Sequence, residues 1–391
     1  METQPGVKEI TRGEKDVHLD LIRGLAALGV FLGHARNIFL GVYPQSSSLL
    51  VKLFIFSAGF GAQMVMIFFV LSGYCIALSV LSDIKKNSWS WKKYLINRSV
   101  RLYVVLLPAL LLTLFWDYLG IFISNNASIY QGIGPQNVVP RDVFENINAS
   151  VFFGNLFFLQ GVFTSFLGSN SPLWSLSYEY WYYMAFSLLL LIFFRASDFN
   201  KKVIYAVILA TIAYVFWVFI YLFPVWLFGA CLAFIPRNDF LKMRRFFWIF
   251  LVAALVFFVV CMTLSRFSIT AGLTASYSIG FATSFLIYVL LHDIRNSQGY
   301  YAKITSFFAN MSYTVYLTHL PFLVFLYAVF VREGRWSFDA IHFFKFTGIL
   351  FFVLFYSYLI SRITERKTGR VKSFFYSYFL DKRLEPVLLK E

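Results

Sequence analysis

The sequence predicts an all-α polytopic membrane protein, with about ten transmembrane helices around a central polar cavity and both termini cytoplasmic. Three observations carry this. Of 391 residues, 59% are hydrophobic and only 14% charged, too little charge for the surface of a soluble domain of that length. Apolar runs near twenty residues recur at about 20–40, 60–82, 102–124, 173–194, 203–219, 221–236, 246–264, 272–291, 305–331 and 342–361. Such runs match the helix length needed to cross about 30 Å of hydrocarbon. With the N-terminus inside, the segments 1–23, 83–101, 195–202, 237–245, 292–303 and 362–391 hold 27 of the 34 lysines and arginines. That asymmetry is the positive-inside bias, and it sets the orientation.

The same placement excludes nucleic acid as the partner of the +15 net charge, because the basic residues sit in short blocks between apolar runs. Cys75, Cys231 and Cys261 fall inside apolar segments at no metal or disulfide spacing and read as packing residues. The first eighteen residues are polar, and no small-residue cleavage site follows the first span, so no removable signal peptide is expected. The chain divides into a cytoplasmic segment, 1–18, a membrane domain, 19–362, and a basic cytoplasmic tail, 363–391. The tail either lies on the inner lipid surface, where lysine and arginine meet anionic headgroups, or is loosely ordered.

One run does not fit a crossing. Residues 151–168, "VFFGNLFFLQGVFTSFLG", are long enough, yet a crossing there would put every later basic block on the wrong side. The segment is read as a re-entrant or surface-lying part of a long outer loop, 125–172. Gly154, Asn155, Gln160 and Gly161 suit backbone buried in protein. Gln63, Asp117 and His292 read as helix-end or interhelical polar contacts.

The first span, "HLDLIRGLAALGVFLGHARNIF", carries Arg23 and His34. Three helical turns take 10.8 residues, so the two share a face, about 16 Å apart along the axis. A charged residue deep in the bilayer costs about 2.5–3.5 kcal/mol on insertion scales, so such residues face a cavity or a partner. A ligand lying along this helix would place its anionic end at Arg23 and its reactive end at His34. Taken singly, each has a plainer account: a snorkelling arginine, and a histidine bonding one helix to another. Ser312, Tyr313, Tyr316 and His319 fall on or near one face of the ninth span. Pro321, just beyond them, frees helix carbonyls for a polar cavity.

Several ordered stretches add a resemblance. "LDLIRGLAALGVFLGHA", "FFVLSGYCI", "INRSVRLYVVLLPAL", "PLWSLSYEYWYYM", "WLFGACLAF" and "MSYTVYLTHLPFL" together resemble acyltransferase family 3, membrane-bound O-acyltransferases that acetylate bacterial surface polysaccharides and other sugars. The resemblance spans about 18 to 365. It implies a bacterial inner-membrane enzyme, no metal, acetyl-CoA as donor substrate, and a glycan or lipid-linked sugar as acceptor. It also implies His34 as the general base on the acceptor hydroxyl, or as an acyl carrier, with Arg23, Arg98 and Arg101 for the donor's phosphates. Histidine suits the base role because its reference pKa is near the operating pH, and guanidinium suits phosphate because its fork bonds two oxygens. Glu179 would orient a histidine, accept the acceptor's hydrogen bond or anchor a helix. Trp174 would stack on a sugar ring or simply mark the membrane boundary, and Ser312, Tyr313, Tyr316 and His319 would line the acceptor's space.

Two departures qualify the resemblance. "NRSVR" lacks the family's frequent double arginine, and "TERKTGR" keeps Glu365 without the proline of the usual pattern, so Glu365 receives no weight. Many members carry an added periplasmic domain. With none expected here, transfer falls to the membrane domain or to a separate partner. The competing class is a transporter without bond making, and succinyl or longer acyl donors remain open.

Overall fold

The computed structural model describes residues 16–41, 48–125, 128–133, 138–139, 143–194, 198–236, 244–293 and 299–379. Among these, helix is the regular element, and extended pairing is limited to isolated bridges such as Leu40 with Trp336. The helices are α1 Val17–Phe39, α2 Leu49–Ser57, α3 Gly61–Lys85, α4 Trp91–Ser124, α5 Ala149–Leu156, α6 Leu173–Phe194 and α7 Phe199–Val215. They continue with α8 Phe223–Leu232, α9 Arg244–Arg266, α10 Gly272–Leu290, α11 Tyr300–Ala309, α12 Ser312–Phe330, α13 Ala340–Ile363 and α14 Thr368–Phe379. Local chemistry sets their starts. The Asp16 carboxylate accepts from the amides of His18 and Leu19 to open α1, and Asp339 accepts from the His342 amide to open α13, each using donors that the first turn leaves free.

Eight helices among the described residues, α1, α3, α4, α6, α9, α10, α12 and α13, are long and apolar enough to cross a membrane. The expected runs 203–219 and 221–236 do not form two straight spans. They build α7, a 3₁₀ turn at Trp217–Leu222, and α8, bent by 96° at the break. Pro224, at the start of α8, has no N–H to continue a helix arriving from α7. The bent pair still reaches both levels of the bundle. Phe216 stacks on Trp181 in the outer half of α6, and the Tyr277 hydroxyl of α10 donates to the Tyr221 carbonyl. At the inner level, Trp91 donates to the Tyr205 hydroxyl, and Phe234 meets Phe194. The chain therefore rises and returns here. The start of α1, bonded from His18 to Asp293, and α14, bonded from Tyr376 to Asn97, lie at the end of the bundle that carries the basic blocks. The residues before 16, most of the N-terminal segment, and those after 379, the last twelve of the tail, lie outside the described residues.

The segment 151–168 does not cross. It forms the eight-residue α5 and then turns. Asn155 Nδ2 donates to the carbonyls of Val151 and Ser165 at 2.8 and 2.9 Å, and Gln160 Nε2 donates to Leu173 at 2.9 Å. Both side chains are fully buried. The Asn155 amide ties α5 to the turn at Ser165, and the Gln160 amide ties that turn to the start of α6, so the non-helical backbone here is held by buried side chains.

The ninth run is broken at Asn310–Met311, where the Ser312 hydroxyl donates to the Ala309 carbonyl. α12 then continues through Pro321 without a break. Proline cannot donate to the carbonyl four residues back, which is that of Leu317. Asn170 Nδ2 takes its place, donating to Leu317 O at 2.9 Å while also reaching Thr113 Oγ1 at 3.0 Å. Asn170→Ala is expected to orphan that buried carbonyl and cost about 1–3 kcal/mol. A lower unfolding midpoint of the detergent-solubilised chain would show it, and an unchanged midpoint would discard this role.

α3 packs on α8 at very short range. A Cβ at Gly73 would stand 2.1 Å from the Trp226 carbonyl oxygen, and one at Gly229 1.8 Å from that of Val70, so only glycine admits this crossing. Away from α8, α3 packs along α1 and α10 and meets α6.

Candidate active site

α1 and α12 lie side by side and bring two imidazoles together. His34 Nδ1 is 2.8 Å from His319 Nε2, and the rings stack at 16° with centroids 5.1 Å apart. His319 Nδ1 is 2.7 Å from the Val315 carbonyl oxygen. A carbonyl only accepts, so His319 Nδ1 carries its hydrogen, and in the neutral ring Nε2 holds a lone pair. His34 Nδ1 must then donate to it. The consequence is directional: the remaining lone pair of His34 is on Nε2, turned away from His319. His319 is fully buried with both nitrogens engaged, whereas His34 is only half-buried.

A polar seam runs from this pair toward the inner end. On α3, Phe68, Ser72, Cys75 and Ser79 follow at steps of four, three and four, on one helical face. Phe68 meets the Tyr316 ring edge-on at 5.6 Å, and Tyr316 shares a 2.6 Å hydrogen bond with Ser175 Oγ. Ser72 donates to the Glu179 carboxylate at 2.9 Å, and the Tyr183 hydroxyl donates to the same oxygen. Trp226 Nε1 donates to Ser72 Oγ at 3.3 Å, holding that hydroxyl toward Glu179. Arg101 lies within electrostatic reach of Tyr183, Cys75, Glu179 and Glu365, yet Arg101 and Cys75 remain exposed. Side chains so surrounded can stay accessible only by bordering an open space among the helices.

The inner mouth is cationic. Arg98 donates to Ser79 Oγ at 2.7 Å and lies 5.5 Å over the Tyr94 ring. Arg23 pairs with Asp20 one turn earlier on α1. The buried Nε atoms of both arginines have no hydrogen-bond partner. Glu365 accepts from the amide and hydroxyl of Thr314 at 3.0 and 2.8 Å and lies within electrostatic reach of Arg101 and Arg23. His34 approaches α12 at His319, and Arg23, three turns earlier on the unbroken α1, lies within electrostatic reach of the Glu365 carboxylate that bonds Thr314.

A family model described as an acyltransferase domain matches residues 16–364, nearly the whole chain. The chain belongs to acyltransferase family 3. An uncharacterised protein of Haemophilus influenzae is 29% identical to it over 134 residues, 33% of this chain and 49% of that protein. This match spans about half the length of that relative. No solved structure matches.

Within this acyltransferase-family chain, the structure sorts the expected residues. His34, Arg23, Arg98, Arg101, Glu179, Tyr313 and Tyr316 border the seam or its mouth. Tyr313 donates to the Leu102 carbonyl at 3.3 Å and lies near Glu179 and Arg101. Ser312 does not border it, since its hydroxyl is used inside the helix break. His319 stands behind His34, with no free nitrogen for an acceptor. Trp174 packs edge-on against Phe69 and Tyr178, half-buried in the aromatic core. Glu179 touches neither histidine; its partners are Ser72 and Tyr183. Tyr183 is not among the residues the sequence singles out, and Glu365 is one that it gives no weight. Tyr183 carried a usable signal, four residues beyond Glu179 on one helix face. Glu365 reaches α12 from 51 positions away in sequence, which no local pattern encodes.

Proposed function

We propose that the chain is a membrane O-acyltransferase that moves an acetyl group from acetyl-CoA, entering at the inner mouth, to a hydroxyl of a glycan or lipid-linked sugar at the outer face or within the membrane. The observation that carries this reading is the chain Val315 O, His319, His34, which leaves His34 with a lone pair on Nε2, the ring edge turned away from His319. The donor fits the arginines present: Arg23 and Arg98 each hold a buried, unpartnered Nε, and Arg101 borders open space. A guanidinium fork can take phosphate oxygens at such places.

In this reading His34 Nε2 takes the proton of the acceptor hydroxyl as its oxygen attacks the thioester carbonyl carbon. The C–O bond forms, the C–S bond breaks, and the proton passes from His34 to the departing thiolate. The products are an O-acetyl ester and free CoA thiol, and the histidine ends neutral. Positioned proton transfer of this kind contributes about 10²–10⁴-fold. Glu179, held by Ser72 and Tyr183, supplies a fixed acceptor along the seam for a substrate hydroxyl or amide.

Proteoliposomes given acetyl-labelled acetyl-CoA on the inner-mouth side and a panel of sugars and lipid-linked sugars are expected to yield a labelled ester and one free thiol per ester. Accumulation of sugar across the bilayer without labelled ester would identify a transporter instead. Label incorporated from succinyl-CoA but not from acetyl-CoA would reassign the acyl group.

A further inference from the structure

At the outer end, away from the arginines of the inner mouth, a second cationic site stands outside the seam. α9 ends in Arg266, whose guanidinium lies against the α2–α3 link: a Cβ at Gly59 would be 2.3 Å from its Nε and 2.6 Å from Nη2. Gln63, in the first turn of α3, donates from Nε2 to Ser265 Oγ at 3.0 Å. The chain beyond α9 folds back, with the amides of Ile269 and Thr270 bonding to the Leu264 carbonyl at 3.0 and 3.3 Å. Three elements thereby converge. Each leaves a buried polar atom with no partner: Arg266 Nε, Gln63 Oε1 and Thr270 Oγ1. Among the described residues, no carboxylate lies within ion-pair distance of Arg266.

These orphaned groups are a cationic fork, a carbonyl acceptor and a hydroxyl, each costly to bury unused. An arginine that merely snorkelled to the lipid surface would turn its guanidinium outward, but here Nε is buried against backbone. Beside the cluster, Phe267 and Ile269 are 64% and 70% exposed, and Phe56 lies 5.6 Å from the Phe267 ring. The neighbouring surface is therefore apolar and accessible. The site also adjoins the histidine pair: Ala58, next to Gly59, presents its carbonyl oxygen 3.2 Å from where a Cβ on Gly33 would stand, and Gly33 precedes His34.

We infer that Arg266, Gln63 and Thr270 form a subsite for the phosphate of a lipid-linked sugar diphosphate, holding the acceptor by its anionic linkage while its sugar reaches toward His34. Arg266 pairs with the phosphate oxygens, the Gln63 carbonyl takes a hydroxyl, and Phe267 and Ile269 meet the lipid chain. This inference rests on the acyltransferase reading for its purpose, but not for its chemistry.

Farnesyl diphosphate serves as the probe, with the full chain in phosphatidylcholine nanodiscs and titration calorimetry as the readout. Saturable binding is expected. It should weaken at least about tenfold in Arg266→Gln, which is about 1.4 kcal/mol, recover in part in Arg266→Lys, and persist in Arg98→Gln at the opposite mouth. Inorganic pyrophosphate should bind the same site more weakly. Equal binding by wild type and Arg266→Gln, in chains of equal thermal stability, would overturn the inference. So would loss of the probe when phosphatidylglycerol replaces phosphatidylcholine, because an ordinary headgroup would then own the site. Probe binding that persists in a chain shown to form no ester would leave the subsite standing and remove the acyltransferase reading alone.

Discussion

Replacing His34 with alanine is expected to lower acetyl transfer by about 10²–10⁴-fold, the range that a positioned proton-transfer group supplies, while donor binding stays close to wild type. The separation follows from geometry. The arginines of the inner mouth lie up to three helical turns from His34 on α1 or on α4, and none bonds to it. Removing the imidazole therefore leaves the phosphate contacts in place. Transfer kinetics with labelled acetyl-CoA and equilibrium binding of CoA to the same preparation give the two readouts. Undiminished transfer would remove His34 from the chemistry. Loss of CoA binding together with activity would mean that the substitution collapsed the α1–α12 contact. His34→Gln, which keeps a polar group of similar reach, separates those outcomes: it should restore stability without restoring transfer, because an amide takes up no proton at neutral pH.

Much of this arrangement was legible in the sequence because it is written in short periods. Arg23 and His34 share a face through simple helical spacing, and the spans show as apolar runs of the length that a bilayer demands. The inward-facing basic blocks gave the orientation that made 151–168 a poor crossing, and Asn155 and Gln160 do bury their side chains there as structural amides. What stayed hidden was the pairing between elements far apart in sequence. The stretch 203–236 has enough apolar residues for two spans, but Pro224 and the 3₁₀ turn ahead of it bend the pair, and composition does not record direction. Likewise, nothing local distinguishes a histidine that faces substrate from one that serves another histidine. His319 stands on the same face as Tyr316 and Ser312, yet its ring is spent on His34 and Val315. Glu365 was set aside for want of a motif, and it is the residue that ties the end of α13 to the first turn of α12 beside Arg101 and Arg23.

His319→Phe should lower kcat on the order of 10²-fold with the KM for the acetyl donor little changed. Phenylalanine roughly keeps the ring volume in a fully buried position, so a failure of packing is not the expected result. What it removes is the acceptor at His34 Nδ1. Without that acceptor, nothing selects the form of His34 that carries its hydrogen on Nδ1 and its lone pair on Nε2, and the ring is free to rotate away from the acceptor hydroxyl. His319→Gln makes the sharper test. Its side-chain carbonyl can reach the place of the lost Nε2 and accept from His34 Nδ1, so transfer should return to within about tenfold of wild type. Asparagine, one methylene shorter, approximates the Nδ1 side of the ring and reaches the Val315 carbonyl instead, so it should not rescue. A merely structural role for His319 predicts a different order, with phenylalanine the best tolerated of the three and the two amides, buried with incomplete hydrogen bonds, the worst. Measured activities in that reversed order would show that His319 fills space and does not position His34.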